Sequence, residues 1–280
     1  MHQGGGEFQL NENEALFYRY WKPQAPKGII FCIHGLGAHS QWFAPLAEKL
    51  YQENLWVVAP DLRGFGLWQG EKGDITDFSI YLEDLEKFLR DLYSEDLPLF
   101  LLGESMGGLL STYLAGRNSA KFSGMVLLSP AVEFQFRNVS HGLAVKILLS
   151  VIFTDGRRRF PLPIEPRFLV GNQEDTLKAL EEDTLKVFDF SGRLLWQLLK
   201  HMHGVKKIAT KILMPTLILQ AGEDKVVRPV GSRKLYRIIP SRDKRLIIMP
   251  GAEHSLLNDV CKEEVYEKIC KWFSRDDFSA

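Results

Sequence analysis

The chain has no excess of either charge: thirty-five Lys and Arg stand against thirty-five Asp and Glu in 280 residues. Without a positive field there is nothing to draw a polyanion, so nucleic acid is set aside as a partner. Cysteine is scarce. Cys32, Cys261 and Cys270 are too few for a disulfide framework. Cys261 and Cys270 fall on one predicted helix, and at about 100° per residue they face opposite sides and do not bridge. All three read as small buried hydrophobes in a reducing compartment. Also missing is any apolar run of about 18 residues, which leaves no candidate membrane span. Residues 1–10 show neither a basic start nor an apolar core, so no signal peptide is expected and the default location is cytoplasmic.

What is present is an ordinary globular composition, 45% hydrophobic and 25% charged. Short apolar runs alternate with longer amphipathic ones, the pattern of βαβ units and a mostly parallel sheet. Strands are predicted at Gly28–Ile33, 55–59, 98–102 and 125–129, with helices at 41–54, 78–93 and from 106 to about 115. The rhythm then stops. Residues 131–205 offer only helical stretches and a Pro/Arg-rich loop at 157–166. It resumes with strands at 215–220 and 245–249 and helices at 230–238 and 263–274. Neither half completes a sheet alone, so the expectation is one α/β core, residues 1–130 and 206–280, with a helical cap inserted at 131–205.

The sharpest motif is Gly103-Glu104-Ser105-Met106-Gly107, between a predicted buried strand and a helix. A strand-to-helix turn this tight strains the central residue and lifts its side chain clear, and a Cβ at either glycine would strike the neighbouring strand or helix. The bare pattern is weak, since about one chain in ten of this length carries it by chance. Its context is what counts. A serine needs a base and an orienting acid to attack a carbonyl at neutral pH. In chain order the candidates are Glu223 or Asp224 after the strand 215–220, then His254 after the strand 245–249. Both positions lie at carboxyl ends of strands, where open parallel sheets build their sites. The turn His34-Gly35-Leu36-Gly37 follows the first core strand. From it, the backbone N–H of Leu36 can converge with that of Met106 on a developing oxyanion, each worth roughly 3–4 kcal/mol of barrier.

With these stretches in hand, the chain resembles the monoacylglycerol lipase and lysophospholipase branch of the α/β hydrolases over about residues 15–272. The likeness is carried by His34-Gly35-Leu36-Gly37-Ala38-His39-Ser40, Asp61-Leu62-Arg63-Gly64, Gly103-Glu104-Ser105-Met106-Gly107-Gly108, residues 219–227, and His254-Ser255-Leu256-Leu257. The resemblance implies the α/β-hydrolase fold and a triad of Ser105, Asp224 and His254, with Leu36 and Met106 as oxyanion donors. It also favours Asp224 over Glu223, which position alone leaves open. After Gly64 the branch carries His-Gly-x-Ser-x-Gly, whereas this chain reads Phe65-Gly66-Leu67-Trp68-Gln69-Gly70. That loop is expected near the base of the site, where two extra aromatics would reshape the acyl or head-group end.

Lesser features carry two readings each. Residues 143–153 are apolar except Lys146 and Ser150, which share one arc of the helical wheel. Such a cap helix either meets lipid, giving peripheral membrane contact, or is buried against the core. Arg157-Arg158-Arg159 reads as solvated surface before it reads as an anion site, and His201 and His203 lack further ligands for a metal. Glu104 and Glu253 either tune their catalytic neighbours or point away.

The expected activity is carboxylic ester hydrolysis through an acyl-enzyme, with no metal or organic cofactor. Its partner would be a small-molecule ester, above all a single-chain lipid such as a monoacylglycerol or lysophospholipid. A short-chain esterase, a thioesterase and an aminopeptidase are the alternatives within enzymes, and a non-catalytic binding or scaffold protein the alternative outside them. An apolar tunnel under the cap would favour lipid; a blind acidic pocket able to hold an ammonium group would favour the peptidase.

Overall fold

The computed structural model describes residues 2–93, 96–135, 141–161, 165, 167–171, 173–275 and 278. Its strands are β1 (His2–Gln9), β2 (Ala15–Lys22), β3 (Gly28–Ile33), β4 (Leu55–Pro60), β5 (Leu99–Glu104), β6 (Gly124–Leu128), β7 (Arg159–Pro161), β8 (Asp189–Ser191), β9 (Thr216–Ala221) and β10 (Lys244–Met249). The helices are α1 (Ala44–Gln52), α2 (Ser79–Leu92), α3 (Met106–Arg117), α4 (His141–Phe153), α5 (Arg167–Val170), α6 (Glu174–Glu182), α7 (Gly192–Ala209), α8 (Pro229–Ile238) and α9 (Lys262–Phe273).

Eight strands form one sheet in the order β1-β2-β4-β3-β5-β6-β9-β10. From β4 to β10 neighbouring strands pair in parallel, and β2 pairs antiparallel with both β1 and β4. Strands β3, β5, β6 and β9 are buried along their whole length, as expected for parallel strands covered on both faces. Their side chains alternate between two cores. Ile29, Phe31 and Ile33 join the cluster under α2, α3 and α7; Ile30 and Cys32 join the one under α1 and α9. Each large apolar side chain so buried contributes about 1.5–3 kcal/mol.

The parallel sheet and its helices agree with the sequence reading. The antiparallel pair β1 and β2 lay outside it, and the expected helix over 41–54 divides into a 3-10 turn, Ser40–Phe43, and α1. Between β6 and β9 lies a helical insertion, α4 to α7. It also holds the two-stranded β7–β8 ribbon, where only helices and loop were expected. The run of three arginines divides as well: Arg159 is taken by Asp189 and the carbonyl of Lys72, while Arg157 and Arg158 are exposed. Part of the 157–166 loop lies outside the described residues. Cys32, Cys261 and Cys270 are free thiols.

Candidate active site

Strand order reverses at β3, with β4 on one side and β5 on the other. Loops leaving the carboxyl ends of neighbouring strands diverge at such a point and leave a crevice. Ser105 follows β5 there. Its φ of 54° is a region that non-glycine residues occupy only at a cost. The turn is over-determined by its surroundings: Ser105 N–H donates to Leu128 O at 2.9 Å, and Ser105 O accepts from Ala131 N–H at 2.9 Å. The glycines around it have no room for a side chain. A Cβ on Gly103 would sit 2.3 Å from the carbonyl oxygen of Gly107, and one on Gly107 would sit 1.9 Å from that of Ile33. Ser105 directly precedes α3, so the positive end of that helix faces whatever charge forms beside Oγ.

His254 reaches the same point from the loop after β10. Its Nε2 lies 2.9 Å from Ser105 Oγ, and its Nδ1 lies 2.8 Å from Asp224 Oδ2. A carboxylate only accepts, so Nδ1 carries the proton and Nε2 presents its lone pair to the serine hydroxyl. Asp224, in the loop after β9, is fixed on both oxygens. Oδ1 accepts from the N–H groups of Val226 and Val227 at 2.9 and 2.8 Å; Oδ2 also accepts from Gln220 Nε2 at 3.1 Å. Ser232 in turn donates to Gln220 Oε1. Burial works against a charged His254, but Asp224, by charge and hydrogen bond, and then Glu104 and Glu253 outweigh it, holding the imidazole above its ordinary range. Glu223, the rival to Asp224, turns outward to an ion pair with Lys225.

Leu36 and Met106 both line the crevice beside Ser105. Gly35 permits this approach, since a Cβ there would stand 3.2 Å from Ser105 Cβ. The rest of the wall is largely apolar. Trp42 comes from the loop after β3, Val226 from the loop after β9, and Phe134, Leu169, Phe188 and Leu198 from the segment between β6 and β9. Phe65 and Trp68, the aromatics expected to reshape the acyl or head-group end, are elsewhere. Phe65 packs edge-on against the His34 ring, and Trp68 is buried with Leu10 and Leu16, so neither lines the crevice. His201 donates from Nδ1 to Gln197 O and stacks on Phe78. Among the described residues no group of three or more His, Cys, Asp or Glu is arranged to hold a metal ion.

Three contacts escaped the sequence reading: Gln220 on Asp224, Ser255 on Glu104, and Asp183 on His39. Only Gln220 left a trace, as a polar residue directly after the apolar run Leu217, Ile218 and Leu219.

Comparison with known proteins gives the same architecture. The family model described as serine aminopeptidase, S33 (Hydrolase_4), matches residues 24–260. Monoglyceride lipase of Homo sapiens is 30% identical over 270 residues, covering 94% of this chain and 88% of that protein. Phospholipase YtpA of Bacillus subtilis is 29% identical over 250 residues, covering 88% and 95%. Among solved structures, the monoacylglycerol lipase of Paleococcus ferrophilus superposes with a TM-score of 0.81 at 27% identity, covering 92% of this chain and 98% of that one. A soluble variant of the Saccharomyces cerevisiae monoglyceride lipase shares the fold with a TM-score of 0.88 at 23% identity, covering 98% and 95%. The chain therefore belongs to the serine aminopeptidase S33 (Hydrolase_4) family and is a serine ester hydrolase with the α/β-hydrolase fold.

Proposed function

We propose that the protein hydrolyses the ester of a single-chain lipid, a monoacylglycerol or lysophospholipid, with Ser105 as nucleophile, His254 as base and Asp224 as orienting acid. The observation that carries this reading is the unbroken chain of hydrogen bonds from Ser105 Oγ through His254 to Asp224 beneath an apolar crevice. His254 Nε2 takes the hydroxyl proton as Oγ attacks the ester carbonyl, and the imidazolium is held by Asp224. The oxyanion accepts from the backbone N–H groups of Leu36 and Met106. The alcohol leaves with the proton from His254, and water repeats the sequence on the acyl-enzyme. No step calls for a metal or organic cofactor.

Substrate class is argued from the walls. Residues 131–205 act as the cap over a core of 1–130 and 206–280, and their Phe134, Leu169, Phe188 and Leu198 offer an acyl chain apolar cover. The family description names an aminopeptidase, which would need a carboxylate to hold the substrate's ammonium group. Among the described residues, the carboxylate lining the crevice is Glu104, and it is already engaged by Ser255 Oγ. The human and Bacillus relatives, a monoglyceride lipase and a phospholipase, support a lipid ester as well.

The cap also supports a peripheral membrane role. On α4, Val145, Leu148, Leu149, Ile152 and Phe153 are exposed, Phe153 to 76%, which argues against the alternative of a helix buried in the core. Five large apolar groups on one short helix suit the acyl boundary of a bilayer. No helix among the described residues is long and apolar enough to cross one.

A panel of glycerol esters, lysolipids, thioesters, p-nitrophenyl esters of rising chain length and aminoacyl anilides tests the assignment. A kcat/KM that climbs with acyl length supports it. A strict preference for acetyl esters, or turnover of the anilides alone, overturns it.

A further inference from the structure

Glu104 is the last residue of β5, and its side chain lies in the wall of the crevice with 3% of its surface exposed. A carboxylate taken out of water is costly unless its oxygens are satisfied. Among the described residues, its hydrogen-bond partner sits on the loop that carries His254. Oε1 accepts from Ser255 Oγ at 3.0 Å, and the backbone N–H of Leu257 in the same loop also favours the charged carboxylate. The turn at Ser255 is held from three further directions. Ser255 Oγ accepts from Asn258 Nδ2 at 3.1 Å, Ser255 N–H donates to Leu169 O in the insertion at 2.7 Å, and Tyr266 on α9 closes the turn by donating to Leu257 O at 2.7 Å.

We propose that Glu104 is a positioning residue for the base: its carboxylate anchors the Ser255 turn that aims His254, and it sets a second negative charge beside the imidazole when that ring takes the Ser105 proton. This role presupposes the Ser105 and His254 chemistry proposed above. The step is a single proton transfer, in which the Oγ–H bond breaks, an Nε2–H bond forms, and the ring becomes cationic. Charged groups facing the ring are Asp224 from the β9 loop, Glu104 from the end of β5, and Glu253 from the β10 loop. Those facing Glu104 are His254, Asp224 and, from α9, the Tyr266 hydroxyl. Burial raises the affinity of Glu104 for a proton, and His254 and the Ser255 hydroxyl offset this only in part, so its carboxyl stays above the usual carboxylate range. Asp224 orients the ring through Nδ1, whereas Glu104 holds the backbone turn on which the ring is mounted.

Glu104→Gln keeps the shape and an acceptor for Ser255 while removing the charge. With a soluble p-nitrophenyl ester, the acid limb of the kcat/KM profile is expected about one pH unit lower in this variant, because a lost negative charge lowers the imidazole's proton affinity. At the plateau, kcat should fall about tenfold with KM nearly unchanged, as for an interaction made chiefly in the transition state. An acid limb that does not move overturns the proposal, whatever happens to the rate. If Glu104→Gln does not fold, Ser255→Ala serves instead. Stripped of its donor, Glu104 holds a proton to higher pH, and the limb again moves down; a fixed limb again overturns the role. Fluorophosphonate labelling separates the two levels. Labelling lost in Ser105→Ala with an unmoved limb in Glu104→Gln removes only the role of Glu104, while labelling retained in Ser105→Ala removes the site assignment itself.

Discussion

Asp183 Oδ2 accepts from His39 Nε2–H at 2.9 Å, and this bond ties the helical insertion to the loop that follows β3. The same oxygen accepts from Trp42 Nε1 at 2.9 Å. Oδ1 accepts from Leu185 N–H at 2.9 Å, and Val187 N–H reaches back to Gly37 O at 2.9 Å. Residues 183–187 are thus laced to the stretch between Leu36 and Trp42, which forms one wall of the crevice.

Replacing Asp183 by Ala strands the ring N–H of His39 and the indole N–H of Trp42, each at a cost on the order of 1–3 kcal/mol when buried. The expected outcome is a lower urea midpoint together with a reduced kcat/KM, because the loop bearing Leu36 loses its brace. Asp183→Asn retains an acceptor oxygen and should lie between Ala and the parent. Equal stability of all three proteins would show that the latch is idle.

The backbone at Ser105 stores strain that a glycine would release. Its φ of 54° costs a side-chain-bearing residue about 1–3 kcal/mol, whereas glycine occupies such angles freely. Ser105→Gly and Ser105→Ala should both be inactive, with the Gly variant more stable by about 1 kcal/mol after its greater unfolded-state entropy is counted. Chemical unfolding of the pair checks this, and an Ala variant at least as stable as Gly would refute it.

His34 gives the fold an acid limit. Its Nδ1–H donates to Gly35 O at 2.8 Å, and Nε2 accepts from Leu62 N–H at 2.9 Å, a pattern only the neutral ring can make. Burial, opposed by Asp61, depresses its pKa to about 4. A group held below its unfolded value of about 6.5 stabilises the fold above that pH, and the contribution drains away as pH falls toward 4. The loss over that window is on the order of 3 kcal/mol. Urea unfolding at pH 7.5 and 4.5 should show a smaller difference in His34→Asn, whose amide can also donate and accept, than in the parent.

Membrane contact through α4 can be probed without touching the crevice. Ile152 and Phe153 are 62% and 76% exposed, so Ile152→Glu and Phe153→Glu should leave stability within about 0.5 kcal/mol. Each should weaken sedimentation with phospholipid vesicles by about tenfold or more, the worth of one buried apolar side chain. Hydrolysis of a soluble ester should not change. Undiminished vesicle binding in the double variant would remove α4 from the interface.

The parallel core was legible because strands such as Gly28–Ile33 are apolar on both faces and end at turn residues. The antiparallel edge was not. In β2, Arg19 and Lys22 interrupt the aromatics, and β1 contains three successive glycines that, read alone, suggest a loop. Those glycines are covered from the neighbouring strand: a Cβ on Gly5 would stand 2.6 Å from the Phe17 ring, and one on Gly4 2.9 Å from the Tyr20 hydroxyl. Cross-strand cover of this kind exists only once the strands are paired. At the site, chain order and strand ends pointed to Ser105, His254 and either Glu223 or Asp224, and the resemblance favoured Asp224. The contacts of Asp183 with His39 and of Ser255 with Glu104 join residues 144 and 151 positions apart, and no local pattern encodes them.

The most direct measurement is the mass of the intact protein after fluorophosphonate treatment, followed by peptide mapping of the adduct. A single adduct on the peptide containing Ser105, absent from Ser105→Ala and slowed in His254→Ala, is the result expected. An adduct on another residue, or an unchanged adduct in Ser105→Ala, would contradict the account.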